Sequence, residues 1–332
     1  MKKIQGETVN WGIIGVGDVC EVKSAPAMNK IPGSRIEIVM RRNAAKVEDY
    51  AKRHGISRWT TDADAVINDP KVNAIYIATP PQSHREYALK AAAAGKPAYV
   101  EKPMARTYEE CKDMVLAFEE AEIPLYVAYY RRTLPNCLFV KELLEKETIG
   151  DIRMLKIEMV KPLQPDLIAN SEENWRVDPE IAGGGYFFDL ASHQLDLMDF
   201  LFGPIGWVDG HGGNQAGIYP ANDIVVSSFR FENGIMGTGS WCFNAGASGH
   251  KEMTEIIGSR GIIRFPTFGK PWVEVELDSG EKDKSHFIMP QHIQQPLIEN
   301  IVAELLGKGT SPSTGQSAIR TNYVMGQMIE KD

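Results

Sequence analysis

Between Val9 and about Val127, short apolar runs alternate with longer stretches of helix-like texture, and turn residues close each run. The runs at 9–14, 36–40, 72–78, 98–100 and 125–128 are almost wholly apolar, the pattern of strands buried on both faces. Strand, helix, strand is the rhythm of βαβ units, so five short parallel strands are expected here. Helix punctuation supports this: Asn43 precedes Ala44-Ala45-Lys46, Gly95 follows the Ala-rich 88–94, and Thr107 with Glu110 makes a capping box for a helix reaching Ala121.

After Ile149-Gly150-Asp151 extended segments follow one another directly, which predicts an antiparallel sheet. Asn233-Gly234 between strand-like runs predicts a hairpin, and 255–264 a second one around Ser259-Arg260-Gly261. Two exceptions read as helical. One is 183–202, where Phe187, Phe188, Leu190, Leu195, Leu197, Leu201 and Phe202 recur at helical spacing, and the other is the tail at 291–306 and 316–330. The expected organisation is a parallel-sheet α/β domain over 1–127. A second domain over 128–332 follows it, with an antiparallel sheet and the C-terminal helices.

At 332 residues the chain has the length of two domains of about 150 residues each. Hydrophobic residues are 43% and charged residues 24%, ordinary globular usage, and no apolar run approaches the ~18 residues a membrane span needs. The net charge of −8 disfavours nucleic-acid and anionic-lipid partners but leaves room for a local basic pocket that takes a phosphate. Cys20, Cys111, Cys137 and Cys242 are widely spaced with no CxxC pair, which points to reduced thiols in cytoplasm and to no zinc cluster. Met1-Lys2-Lys3 is not followed by an apolar stretch, so no export signal is read.

Chemistry concentrates at the ends of the apolar runs. Gly15-Val16-Gly17-Asp18-Val19-Cys20 puts a G-x-G where the first strand gives way to a helix, so backbone amides and the helix dipole can meet a pyrophosphate. Arg41-Arg42 follows the second strand where an NAD site usually offers a carboxylate, and Glu37 falls inside the strand instead. Two guanidiniums there suit the 2′-phosphate of NADP, or else form a solvated basic turn. Thr79-Pro80 with His84, and Glu101-Lys102-Pro103, follow two later strands and so surround the same crevice. Further on, Trp175-Arg176 and Gly183-Gly184-Gly185 precede Asp189 and His193, one helical turn apart, with Asp196 nearby. An imidazole oriented by a carboxylate is a general acid/base arrangement, or a structural His capped by Asp, and one His with two Asp is a poor metal site.

In this order, the G-x-G turn, Ala78-Thr79-Pro80 with His84, Glu101-Lys102-Pro103, Tyr130-Arg131-Arg132 with Pro135, Trp175-Arg176 and the Gly triplet with Asp189 and His193 resemble the Gfo/Idh/MocA oxidoreductases over nearly the whole chain. The resemblance implies a Rossmann domain with a doubly wound parallel sheet, followed by an α/β domain with a large open, mostly antiparallel sheet. It implies catalytic Lys102, Asp189 and His193, and substrate contacts from Lys102, Tyr130, Arg132, Asp189 and His193. Cofactor contacts would come from Gly15, Gly17, Asp18, Val19, Arg41, Arg42, Thr79, Pro80, His84, Glu101, Lys102, Trp175 and Arg176. Three departures stand out: Cys20 at the third small position, Arg41 where many NAD-using members carry Asp, and Tyr130 where many carry Asn or Gln beside the nicotinamide. The expected activity is hydride transfer between NADP, with NAD possible, and a secondary alcohol or ketone of a sugar, cyclitol or related polyol. Alternatives are an enzyme that cycles a tightly bound cofactor and a dinucleotide-sensing regulator. An open sheet face needs a cover, so a homodimer or homotetramer is expected.

Overall fold

The computed structural model describes residues 4, 6–162 and 174–329. The chain divides into two compact units, one of Met1–Tyr130 with Pro290–Ile319, the other of Arg131–Met289 with Arg320–Asp332. The first unit's leading segment ends at Tyr130, and part of the tail belongs to it as well. Residues 290–319 return to the first unit, where Thr314 bridges to Tyr126 and Ser313 Oγ donates to Val127 O at 2.7 Å. The basic start at residues 1–3 and residue 330 lie outside the described residues.

The first unit holds six parallel strands: β1 (Val9–Ile14), β2 (Ser34–Met40), β3 (Trp59–Thr60), β4 (Ala74–Ile77), β5 (Ala98–Val100) and β6 (Leu125–Val127), in the order 3-2-1-4-5-6. The five expected strands are present; the sixth, β3, is a two-residue edge strand too short to leave a hydrophobic pattern. Burial explains the apolar runs, since β4, β5 and β6 are buried at every position. The caps also behave locally. Asn43 accepts from Lys46 N at 3.0 Å, and Gly95 takes φ +67° after the His84–Ala93 helix. At Thr107 only half of the capping box forms. Its hydroxyl accepts from Glu110 N at 3.2 Å, while the Glu110 carboxylate turns to Arg106, accepting from its backbone N at 3.0 Å.

The second unit is built on eight strands: β7 (Ile152–Pro162), β8 (Ile205–Gly213), β9 (Ile224–Phe231), β10 (Met236–Ala245), β11 (Lys251–Gly258), β12 (Gly261–Phe265), β13 (Trp272–Leu277) and β14 (Lys282–His286), ordered 14-13-12-11-7-10-9-8. Every pairing is antiparallel except β7 with β10. The Asn233-Gly234 hairpin forms, with Gly234 N donating to Phe231 O at 2.9 Å and Gly234 at φ +91°, the geometry of a three-residue loop with glycine in the left-handed position. Leu155, Ile157 and Met159 are buried on one face of β7 and Lys156 is exposed on the other. On the covered face Trp241 meets Phe187 at 5.1 Å and donates from Nε1 to Gln194 Oε1 at 2.7 Å.

The 183–202 helix is corrected in detail. A short helix, Pro179–Ala182, breaks at Gly183 with φ +86°; a π-helical turn over Phe187–Ala191 then runs into the Ser192–Phe202 helix. Packing demands the glycines, because a Cβ at Gly184 would lie 2.0 Å from Phe188 Cδ2 and one at Gly185 2.5 Å from Ala221 Cβ. Among the described residues no helix is long and apolar enough to cross a membrane.

Candidate functional site

In the first unit the strand order reverses between β1 and β4, so the loops leaving these two strands flank the switch point where open α/β sheets hold ligands. Gly15 sits there at φ +95°, and a Cβ on it would come within 2.6 Å of Thr79 Cγ2 and 2.9 Å of Thr79 N. Only glycine lets the two loops touch. A Cβ on Gly17 would meet nothing nearer than Gly15 O at 3.8 Å, so its backbone is open to a close-approaching group. That combination fits a dinucleotide pyrophosphate held by backbone amides. The dipole contribution is smaller than the sequence suggests, because the helix of Asp18 and Val19 ends at Val22 after five residues. Cys20, at the third small position, is buried and its thiol is pushed up to about 12 by burial. Its carbonyl accepts from Tyr50 Oη at 2.8 Å, so the position is a packing site.

Arg41 reaches this turn: its Nη1 donates to Val16 O at 3.2 Å. Arg42 is exposed beside it. Glu37 is engaged by Arg58 at 3.0 Å within the sheet, as its place inside β2 implied. Thr79 Oγ1 accepts from Ser83 Oγ at 2.8 Å, and Pro80 is extended before the Pro81–Ser83 turn.

Two expected cofactor contacts are corrected here. His84 is fully buried, with Nε2 2.7 Å from Thr79 O and Nδ1 3.2 and 3.1 Å from Pro103 O and Met104 O. Burial holds its pKa below the ordinary value, so the ring is neutral and its single N–H donates to one side of this set of carbonyls, packing the 79–84 loop against the 101–104 loop. Glu101 likewise turns inward. Its Oε1 accepts from Tyr76 Oη at 2.6 Å and Gln294 Nε2 at 2.7 Å, and only the next residue, Lys102, is half-buried at the strand end. Tyr130 closes the unit and is buried.

In the second unit His193 is 3% exposed, and its ring meets Phe268 edge-on at 5.8 Å. Asp189 lies in the π turn, so the ordinary i, i+4 offset to His193 does not apply. A cation faces it: Arg176 Nε is 3.5 Å from Asp189 Oδ2, and the Arg176 guanidinium stacks 4.5 Å over Trp175. Arg132, expected at the substrate, pairs instead with Asp196. Arg132 donates from Nε and Nη2 to the Asp196 carboxylate at 2.8 and 2.7 Å, and from Nη2 to Asp199 at 3.3 Å, all buried. Arg132 is therefore turned into its own unit's interior. Burial pushes the Asp196 carboxyl up to about 6 even with Arg132 beside it.

Family models match in both parts of the chain. Residues 9–129 match an oxidoreductase family with an NAD-binding Rossmann fold, and residues 138–264 match the GFO/IDH/MocA C-terminal domain. An oxidoreductase of Formosa agariphila is 41% identical over 96% of this chain and 97% of its own. The chain belongs to the GFO/IDH/MocA oxidoreductases. A levoglucosan dehydrogenase of Pseudarthrobacter phenanthrenivorans is 29% identical over 85% of this chain and 79% of its own, and a 1,5-anhydro-D-fructose reductase of Ensifer adhaerens is 25% identical over 93% and 92%. A levoglucosan dehydrogenase solved with NADH and levoglucosan shares the fold, at a TM-score of 0.86 over 97% of this chain and 96% of that one, with 24% identity.

For this GFO/IDH/MocA oxidoreductase the structure adds residues around His193 that sequence reasoning missed. Phe268 carries the Arg131 guanidinium 4.3 Å from its ring centroid and donates from its backbone N to Glu252 Oε2 at 3.1 Å. Glu252 also accepts from Gln194 Nε2 and Thr267 N, both at 3.0 Å, and burial raises its pKa. No local pattern marks these residues, because they come from one turn, one helix, one strand and a loop.

Proposed function

We propose that this oxidoreductase moves hydride between a nicotinamide dinucleotide, NADP in preference to NAD, and a secondary alcohol or ketone of a sugar, cyclitol or related polyol. The observation that carries the dinucleotide is the Gly15–Gly17 turn at the switch point, too tight for a side chain at Gly15 and open at Gly17. The substrate class is supported by the relatives that act on levoglucosan and 1,5-anhydro-D-fructose. When bound, the dinucleotide supplies or receives the hydride. His193 exchanges the hydroxyl proton, Lys102 donates a hydrogen bond to the same oxygen, and Asp189, itself held by Arg176, orients them. Tyr130 contributes to the substrate end, Trp175 and Arg176 to the cofactor end. With all four cysteines free, the reading includes the reducing cytoplasm.

The test is oxidation and reduction of both dinucleotides against a panel of levoglucosan, 1,5-anhydro-D-fructose, inositols and keto-sugars. Turnover with at least one of them is expected. Purified protein that retains cofactor through dialysis and reduces a second sugar without releasing it would favour internal cycling. Dinucleotide binding with no turnover on any polyol would leave a sensor.

NADP preference rests on Arg41 and Arg42 at the glycine turn. Arg41→Asp replaces a phosphate partner by a repelling charge and should weaken NADP by about 100-fold while changing NAD only a few-fold, read by calorimetry. Equal affinities for the two cofactors in the unmodified protein would discard the preference.

The same reading includes self-assembly. The outer face of the eight-stranded sheet exposes Trp207, Val226 and Met236 on adjacent strands. Light scattering should return two or four times the 36.9 kDa of one chain, and Val226→Glu should lower it. A monomer at micromolar concentration would remove this part of the proposal.

A further inference from the structure

Behind Lys102 runs a chain of buried polar groups that the proposed chemistry does not use. Gln294, fully buried, immediately precedes the Gln295–Leu305 helix. Its Oε1 accepts from Tyr99 Oη at 2.7 Å, and its Nε2 donates to Glu101 Oε1 at 2.7 Å. The same carboxylate oxygen accepts from Tyr76 Oη at 2.6 Å, while Oε2 accepts from the backbone N–H of Lys102 at 3.3 Å. Tyr76 and Tyr99 are register partners on β4 and β5, their rings stacked at 4.9 Å, and Ser24 Oγ stands 2.9 Å from Tyr76 Oη.

The polarity of this chain is determined by its chemistry. Each phenol has one proton to give, and burial holds both phenols well above their ordinary range, so they stay donors. Gln294 satisfies both neighbours in one orientation only; reversed, its carbonyl would confront the Glu101 carboxylate. Glu101 is thus held by Tyr76, Gln294 and the Lys102 amide together, which is how a buried carboxylate avoids its desolvation cost. A side chain from the C-terminal segment, 193 residues away, thereby reaches the peptide that carries the lysine.

We propose that Gln294 is a positioning residue for Lys102: by holding Glu101 it keeps the main chain at Lys102, and with it the ammonium, on one course. The proposal rests on the reading of Lys102 as donor to the reacting oxygen. A displacement of about 1 Å at such a group is enough to cost about 100-fold in rate.

Two variants test it. Gln294→Met keeps the length and removes both hydrogen bonds. It should lower kcat about 10- to 100-fold with the cofactor Kd unchanged, and should speed deuterium exchange at residues 101–105 but not at 44–53. Gln294→Glu separates positioning from mere packing. While it keeps its proton it can accept from Tyr99 and donate to Glu101, restoring the chain; once the proton is lost, two carboxylates repel. Its kcat relative to the unmodified enzyme should be near unity at low pH and fall as pH rises. The other titratable groups facing the pair are Tyr76, Tyr99, Cys20, Tyr130 and His84, with the Lys102 ammonium one residue on. Phenols, a thiol and an ammonium lose protons above the carboxyl range, and His84 is present in both proteins, so its titration divides out of the activity ratio and the fall belongs to the carboxyl pair. If Gln294→Met does not fold, Gln294→Glu at low and high pH decides by itself, and the exchange measurement needs no substrate. Unchanged exchange at 101–105, or a pH-independent activity ratio in Gln294→Glu, would overturn the proposal. Full turnover in Lys102→Met would overturn the reading of Lys102 instead, leaving the exchange result to judge Gln294.

Discussion

Lys102→Met and His193→Leu are each expected to lower turnover by about 10²–10⁴ while leaving dinucleotide binding largely intact. Both substitutions approximate the volume of the side chain they replace. The first removes a donor to the substrate oxygen, the second the group that exchanges its proton. His193 is buried on the Ser192–Phe202 helix against Phe268, a contact that leucine can also make, so the folded fraction should change less than the rate. Steady-state kinetics with cofactor titration separates the two effects. Survival of turnover in both variants would make the pair structural and would send the search for the acid/base group elsewhere.

Arg132→Leu is expected to cost about 3–5 kcal/mol of stability, because it removes the two-point partner of the buried Asp196 carboxylate. Asp199 keeps a partner, since Arg320 donates to it from Nε and Nη2 at 2.7 and 2.6 Å. The effect carries a pH signature. Asp196 has a folded pKa raised to about 6 from an ordinary value of 3.8, so the protonated form is favoured in the fold. Its contribution is fully present below pH about 3.8 and is lost as pH rises through about 6. Without Arg132 the folded pKa rises further. The destabilisation, read from denaturant midpoints, should therefore be largest at neutral pH and shrink on acidification. Equal losses at pH 5 and pH 8 would show that Asp196 is not the stranded group.

The βαβ rhythm, the glycine turn and the hairpins were legible in the sequence because each is a local consequence of composition. Strands buried on both faces must be apolar throughout, a turn at φ +95° against Thr79 must be glycine, and Asn43 caps a helix only three residues away. The change of texture after residue 150 likewise reported the second sheet, since a one-sided sheet alternates where a two-sided one does not. None of this required knowing which distant segments meet.

What the tertiary structure decided was which distant partners the buried charged and polar groups of the site meet. Sequence placed His84 and Glu101 among ligand contacts because polar residues beside a strand end look available, and the family resemblance placed Arg132 there. Folding turned all three inward, His84 onto three carbonyls, Glu101 onto Tyr76 and Gln294, and Arg132 onto Asp196 and Asp199. The pairing of Arg176 with Asp189 depends on a π turn that no helical periodicity announces. The tail shows the same rule at larger scale: its helices were visible in the sequence, but their division between two units was not. Helices and turns are dictated by neighbours within a few residues, whereas a buried charge takes whichever opposite charge or donor the fold brings within about 3 Å, at any separation along the chain.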